Sequence, residues 1–362
     1  INSIGIEANP IIKHITQTKL KWSGDIDKLL DAALDISFKA NKILSKQGID
    51  DRNLLFDPKT ELLDLPEESK KILLNNSISP LPLHKALTLL NLIKEADNEI
   101  KDYLLVAFLK TVIKDLSNLR FGPEIGLGKI KEDAALLTPW LNNVTAIKDD
   151  LATIQSQEIR SNSNIILGDS RNAHQYLMPE SIKAVITSPP YPNEKDYSRT
   201  TRLENVLLGF INNKEELRNV KKTFVRSNSR SVYKEDDDHK YIQHIKPIIS
   251  VANEIERRRI ELGKNSGFEK MYSKVTLQYF GGMAKHLSNL RSSLQTGAKL
   301  AYVVGDQASY LRVMIKTGEL LAEIANVLGY KVLDIELFRT RFATASKQEL
   351  REEAVILQWN GQ

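Results

Sequence analysis

The sequence predicts an α/β protein built on a doubly wound sheet, with a helical block inserted into it. Three observations carry this. Short apolar runs end in a polar or turn-forming residue at Ile4–Glu7, Asn164–Asp169, Ala184–Tyr191 and Lys299–Asp306, as strands do that emerge at the ligand-binding edge of such a sheet. Helical periodicity fills most of the intervals between these runs. The last strand-like runs, Lys331–Phe338 and Glu353–Gln358, are joined by a polar connection alone, as in a closing hairpin. The span 1–20 reads as the start of the sheet, 21–158 as the helical insertion, and 159–362 as the main α/β domain with a basic insertion at 212–275.

Composition bounds the class. The chain has 362 residues, 41% of them hydrophobic and 27% charged, values typical of a soluble globular protein. No run approaches the ~20 apolar residues of a membrane span, and the opening Ile-Asn-Ser has no secretory pattern. With no cysteine, disulfides and thiolate metal sites are excluded, and a reducing cytoplasm is the expected compartment. The formal net charge is +5. Lys and Arg gather in 214–230 and 257–274, either as a footprint for nucleic-acid phosphates or as solvated helix faces.

In chain order, Ile4–Glu7 is a short strand ending in an acid. In a dinucleotide-type sheet such an acid holds ribose hydroxyls; otherwise Glu7 is an exposed strand-end carboxylate. Asn9-Pro10 starts a turn. Leu29, Leu30, Ala33, Leu34, Ile36, Phe38 and Ile43 mark a helix over Asp27–Ser45, with Asp25 or Asp27 as its cap. Residues 48–82 read as loop with a short helix near Pro66–Leu74. Leu83–Leu119 is a second helical region, with His84 a surface or satisfied residue, and Trp140–Gln157 a third.

Asn164–Leu167 resumes the sheet and ends in Gly168-Asp169-Ser170. Asp169 either lies near a cofactor or caps the short helix Ala173–Leu177. After the 184–191 run, 192–197 is a polar loop and Leu203–Ile211 a helix packing on the sheet. Arg226-Ser227-Asn228-Ser229-Arg230-Ser231 reads as a mobile basic loop. Asp236–Asp238 reads as solvated, and His239 and His244 lack a third ligand, so no metal is expected. Helices follow over Ile245–Leu262, Val275–Leu294 and Gly318–Leu328.

The stretch Ala184-Val185-Ile186-Thr187-Ser188-Pro189-Pro190-Tyr191 organises the rest. Two prolines cannot continue a ladder, because neither has an N–H to donate. Their fixed φ pre-aims the neighbouring carbonyls. Such a turn can hold a planar base with an exocyclic amine: Ser188 and the carbonyls of Ser188 or Pro189 accept from the amine, and Tyr191 stacks on the ring. The plainer reading is a strand followed by a Pro-Pro loop with a packing tyrosine.

Thr187-Ser188-Pro189-Pro190-Tyr191 resembles the (D/N/S)PP(Y/F/W) motif of the amino-group DNA methyltransferases, in its serine form similar to enzymes acting on cytosine N4. The resemblance covers about half the chain, without the helical block and 212–275. It implies a Rossmann-like methyltransferase sheet, S-adenosylmethionine as methyl donor, and double-stranded DNA with a flipped target base as substrate. It makes Ser188, Pro189, Pro190 and Tyr191 catalytic, and Glu7, Asn9, Pro10, Asp169 and Ser170 cofactor-binding. Tyr197, Arg199, Arg226 and Arg230 become nucleic-acid contacts, the helical block a candidate DNA-contacting module, and a cognate restriction endonuclease a candidate partner. In the family a Phe-x-Gly-x-Gly loop precedes the segment like 4–10. No such loop stands in these residues, so the first strand, its glycine loop and first helix are expected from outside them, upstream or on a partner chain. Adenine N6 methylation, an RNA or protein amide substrate, and a nucleic-acid-binding module without catalysis are the alternatives.

Overall fold

The computed structural model describes residues 1–51, 61–122, 124–157, 161–343 and 348–361. Part of the expected 48–82 loop, residues 52–60, lies outside the described residues. The chain divides into two compact units, 1–167 with 198–220, and 168–197 with 221–362.

The first unit begins with β1 (Ser3–Glu7) and α1 (Pro10–Lys19). It continues through α2 (Ile26–Lys46), one turn at α3 (Glu67–Lys70), α4 (Pro80–Lys94), α5 (Asn98–Thr111) and the two-residue strands β2 (Leu119–Arg120) and β3 (Gly126–Leu127). Then come α6 (Leu137–Gln155) and β4 (Ser163–Leu167). The short helices α7 (Tyr197–Thr200), α8 (Arg202–Leu207) and α9 (Lys214–Lys222) lie around the crossings between units. Strands β1 and β4 pair in parallel, Gly5 opposite Ile165. Gly5 is needed there, since a Cβ would lie 2.7 Å from Ile165 Cδ1.

Asp25 caps α2, accepting from the N–H groups of Asp27 and Lys28. Leu29, Ala33, Ile36, Ala40 and Leu44 form its buried stripe. Leu34 and Phe38 point outward instead, Phe38 being 68% exposed; the apolar positions of α2 therefore cover two faces. The helical region expected over Leu83–Leu119 consists of two helices separated at residues 95–97, where Asp97 caps α5 by accepting from Glu99 N. Helix α4 is buried nearly all round, as the central helix of a bundle must be. Within it His84 is satisfied: Nδ1 accepts from Leu63 N, and Nε2 meets Gln47 Oε1. Trp140 of α6 and Leu203, Val206 and Leu207 of α8 join the same core. So α8, expected on the sheet, packs into the helical core.

The second unit holds β5 (Ile182–Thr187), α10 (Lys246–Glu261), α11 (Tyr272–Leu290), β6 (Leu294–Gly305), α12 (Thr317–Val327), β7 (Lys331–Ala343) and β8 (Gln348–Gln358). Its sheet order is β5-β6-β8-β7. β5 and β6 are parallel, β8 is antiparallel to both β6 and β7, and β7–β8 is the expected hairpin, longer than the sequence suggested. The described strands thus form a parallel pair, a small ribbon and a four-stranded mixed sheet. An α/β architecture is present. No described helix is long and apolar enough to cross a membrane.

Among the described residues, an ion pair is buried in the first unit. Lys85 Nζ lies 2.7 Å from Asp133 Oδ1, with side-chain exposures of 0% and 4%. Removing one partner leaves a charge stranded out of water. Lys85→Ala is expected to cost about 3–5 kcal/mol in urea denaturation. Adding Asp133→Leu is expected to recover part of that loss. A single variant within about 0.5 kcal/mol of wild type would refute the assignment.

Candidate functional site

Thr187, the last residue of β5, sits opposite Tyr302 of β6. One residue on, Ser188 Oγ donates to the carbonyl of Val303 at 3.1 Å. A hydroxyl has one proton and two lone pairs. With its proton spent on Val303, the exposed Ser188 oxygen can offer a ligand only an acceptor. Pro189 and Pro190 are half-buried. The Tyr191 ring rests on Gly305 at the end of β6, where a Cβ would lie 3.0 Å from Tyr191 Cε2 and 3.2 Å from Glu352 Cγ. Gly305 therefore seats the turn's aromatic ring, and any larger residue would displace it.

The loop after the turn is braced. Glu194 accepts from Ser229 N and Oγ, both at 2.8 Å. Asp196 pairs with Lys221 at 3.1 Å. The Lys195 carbonyl accepts from Ser227 Oγ and Asn228 Nδ2. The Tyr197 hydroxyl bonds the backbone of Tyr191. Further tyrosines gather nearby: Tyr310 donates to the Ser227 carbonyl at 3.0 Å and stacks on Tyr272, their ring centroids 4.7 Å apart.

This bracing corrects the reading of 226–231 as a mobile basic loop. Arg226 is 2% exposed. Its guanidinium is held by Asp236 at 2.7 and 2.8 Å and by the carbonyls of Lys221, Lys222 and Phe224. Burial works against charge on Asp236, but Arg226's hydrogen bonds and charge prevail and hold that carboxyl below its ordinary range. Arg226 therefore belongs to the scaffold. Asp236 and Asp238, expected in solvent, are both ion-paired. The sequence separates Arg226 from Asp236 by ten positions and cannot show that they meet. Arg230 is exposed, its guanidinium 5.1 Å from the Phe268 ring centre. In the first unit Arg199 lies 3.5 Å from Glu124. In the 257–274 segment, Arg257 pairs with Glu254 and Glu261, and Arg259 with Glu256, as solvated helix-face pairs.

Of the residues considered for a cofactor, Glu7 and Asn9 lie in the first unit. Glu7 Oε1 accepts from Asn9 N at 2.7 Å, and Ala8 N–H adds a second bond. Burial raises the pKa of this carboxyl against those two bonds. The Asn9 side chain, by contrast, is consumed: it donates to Thr201 Oγ1 at 2.8 Å and accepts from Asn205 Nδ2 at 3.1 Å. It serves as a bracket between α1 and α8, and Pro10 is simply the first residue of α1.

Asp169 and Ser170 lie in the second unit. Asp169 caps the 3₁₀ turn Ser170–Gln175, accepting from Arg171 N, and both its oxygens grip the Arg171 guanidinium. The capping alternative is thus the one the side chain adopts. The Ser170 carbonyl bonds His286 Nδ1 at 2.8 Å. A carbonyl can only accept, so Nδ1 carries the proton, and Nε2 must accept from Tyr302 Oη at 2.8 Å. Arg171, His286 and Gly305 were not singled out from the sequence. One signal was available for Gly305: Gly305-Asp306 ends β6 as Gly168-Asp169 follows β4. Among the described residues, no group of three or more His, Asp or Glu could hold a metal ion.

No protein-family profile matches the sequence, and no solved structure matches it significantly. Curated relatives do. The chain is 30% identical over 231 residues to the type II methyltransferase M.BsoBI of Geobacillus stearothermophilus, covering 58% of this chain and 43% of that protein. It is 28% identical over 174 residues to the type II methyltransferase M.AvaI of Nostoc sp. strain PCC 7120 and to that of Anabaena variabilis, covering 45% of this chain and 34% of each relative. The matched region is thus less than half the length of these relatives. At the level of sequence the methyltransferase resemblance is borne out.

Burial lowers the pKa of His286, outweighing the Ser170 carbonyl and the Asp169 charge, which favour the charged ring. The unfolded chain therefore binds a proton there that the folded chain refuses, and stability falls as pH drops below the ordinary value of about 6.5. Between pH 7.5 and 5.5, His286→Gln is expected to lose less stability than wild type in denaturant titrations. Equal losses in the two proteins would overturn the assignment.

Proposed function

We propose that this chain, a relative of type II methyltransferases, contributes the catalytic part of a DNA methyltransferase. It acts on the exocyclic amine of a base turned out of the duplex, cytosine N4 being favoured by the serine of the turn. The observation that carries this is the Ser188 hydroxyl, committed as a donor to Val303 and so an acceptor toward a ligand. An exocyclic amine has two N–H donors and a partly delocalised lone pair. Acceptance by Ser188 Oγ and by the carbonyls of Ser188 or Pro189 orients the nitrogen and favours its attack. Because the prolines fix these acceptors in advance, their contribution is positional and electrostatic. No covalent enzyme intermediate is required, and the chain has no cysteine to form one.

The cofactor we propose is S-adenosylmethionine, which supplies an electrophilic methyl group on a sulfonium. Glu7 suits ribose hydroxyls, since backbone N–H groups brace its carboxylate from one side. The Asp169 carboxylate is committed to Arg171, so any cofactor contact there falls to Ser170 and the backbone. Double-stranded DNA is the proposed partner, with exposed Arg230 over Phe268 as a candidate backbone contact. A cognate restriction endonuclease is proposed from the type II character of the relatives.

The test is transfer of labelled methyl groups from S-adenosylmethionine to duplex DNA, followed by mass analysis of the nucleosides. It is run with residues 1–362 and with the complete reading frame. N4-methylcytosine is the expected product; N6-methyladenine would move the target base. Methylation of RNA or protein alone, or DNA binding without transfer, would replace the reading. Ser188→Ala is expected to lower kcat about 10- to 100-fold, the worth of one buried hydrogen bond, with cofactor Kd within about twofold. Equal loss of both would count against a role for Ser188 at the amine.

A further inference from the structure

The sheet of the second unit ends in β7, which pairs with β8 along one edge and, among the described residues, with no strand along the other. This open edge runs for 13 residues, Lys331–Ala343. A row of unpaired N–H and C=O groups of that length is a template for another strand. Apolar side chains along it are uncovered: Leu337 is 46%, Phe338 72% and Phe342 65% exposed. Two register shifts interrupt β7, at Leu333 and at Phe338, each a residue that the ladder to β8 skips.

The second shift sorts the charges. Asp334, Glu336, Arg339 and Arg341 lie opposite Ile356, Ala354, Glu352 and Leu350, which are alternate residues of β8. Residues opposite one another share a face, and successive residues alternate. Two acids and then two arginines therefore stand on one face of β7. Without the skipped Phe338 the arginines would fall on the other face, which holds Ile335, Leu337, Thr340 and Phe342. Arg339 and Arg341 share a single carboxylate, Glu352, at 2.6 and 3.6 Å. That half of the edge keeps donors and positive charge to spare, while Asp334 and Glu336 in the other half are exposed.

This order is self-complementary. When a second β7 is turned about a two-fold axis through Leu337, perpendicular to the sheet, Asp334 meets Arg341 and Glu336 meets Arg339. Ile335 then meets Thr340, and Val332 meets Phe342, each pair on one face. Leu337 meets its own counterpart, and Phe338 falls beside the axis, so the exposed apolar side chains come to the joint. A parallel copy in the same register would instead set each charge against its own kind. Charges that merely guard an edge against pairing would serve with a single sign. Acids and arginines at matched spacing either side of Leu337 are what an antiparallel copy fits.

The geometry points to a second copy of this chain as the occupant of this edge. Two β7 strands pair antiparallel about Leu337 and join two four-stranded sheets into one, an isologous contact made of main-chain hydrogen bonds and cross-strand ion pairs. The inference is independent of the chemistry proposed for the Ser188–Tyr191 turn.

The experiment uses the complete reading frame. It reads mass by sedimentation across the micromolar range, together with hydrogen exchange of the β7 amides. Wild type is expected to dimerise, its β7 amides being more protected in the dimer than after dilution. Asp334→Lys with Glu336→Lys makes the edge wholly basic and is expected to weaken the dimer at least about tenfold, because like charges then face each other across the joint. That variant keeps the Glu352 pairs, so its monomer is expected to melt with the wild-type monomer. Arg339→Glu with Arg341→Glu makes the edge wholly acidic, and mixing it with the basic variant is expected to restore a dimer containing one of each. If the acidic variant does not fold, the basic variant alone decides. A wild type that stays monomeric would overturn the inference, whether its β7 amides are open, protected by the rest of its own chain, or protected only when duplex DNA is added; the last result would give the edge to nucleic acid. A dimer that the basic variant leaves unchanged would overturn it too.

Discussion

The guanidinium of Arg171 sits out of water between two carboxylates, and much of the second unit is organised by that fact. Asp169 grips it from two positions back, Asp238 lies 2.5 Å away, and the Lys222 carbonyl takes a further N–H. Lys285 of α11 approaches Asp238 at 3.4 Å, so two cations meet two anions. Burial opposes charge on Arg171, and the hydrogen bonds and charges of Asp169 and Asp238 outweigh it. Desolvating such ions costs several kcal/mol each, and the arrangement holds only because each finds its partners. It ties together segments distant in sequence: the turn after residue 168, the 221–238 stretch and α11. Asn289 of α11 adds a bond to the Arg171 carbonyl at 2.8 Å. The same 221–238 stretch braces the loop behind the Ser188–Tyr191 turn through Ser227, Asn228 and Ser229. The rigidity of the turn is therefore borrowed in part from a salt-bridge cluster that has no role in the proposed chemistry.

That dependence explains what the sequence did and did not disclose. Local signals were legible. Asp25 caps α2, Gly329 follows α12 with φ +87°, and the β7–β8 hairpin follows from two adjacent apolar runs. Each is decided by residues within a turn or two of each other. Partners across long separations were not legible. A run with Arg226, Arg230 and three serines has the composition of an exposed phosphate-binding loop, yet Arg226 is buried because Asp236 is there to receive it. Asp169 admitted two readings, and Arg171 two residues later decided the side chain's role. Asn9 stood beside Glu7 in the sequence, but its amide is taken by Thr201 and Asn205 almost two hundred residues on.

The contrast between Tyr310 and Tyr279 follows the same logic. Both are buried tyrosines of the second unit, and nothing in the local sequence distinguishes them. Only the position of Ser227 shows that the Tyr310 hydroxyl completes the scaffold, whereas the Tyr279 hydroxyl has no partner among the described residues. Natural cores pair nearly all such groups.

The geometry at Ser188 has a consequence for base selection in the proposed reaction. Each base presents either an amine or an oxo group at the position to be methylated. An acceptor-only hydroxyl beside backbone carbonyls, which also only accept, is satisfied by an amine with its two donors. Facing an oxo group, the same atoms would set lone pairs against lone pairs, with no water to relieve them. Each unmade buried hydrogen bond costs about 1–3 kcal/mol, so two or three acceptors together would discriminate by several orders of magnitude. A free serine rotor could avoid this by turning its proton toward the oxo group. The bond to Val303 at 3.1 Å opposes that rotation, because turning away would leave the carbonyl without its donor. In the proposed reaction, selectivity for amino over oxo bases therefore depends on β6, through the position of Val303, as much as on the turn itself. Gly305, two residues further along the same strand, seats Tyr191. One strand thus holds both the partner of the Ser188 hydroxyl and the seat of the Tyr191 ring.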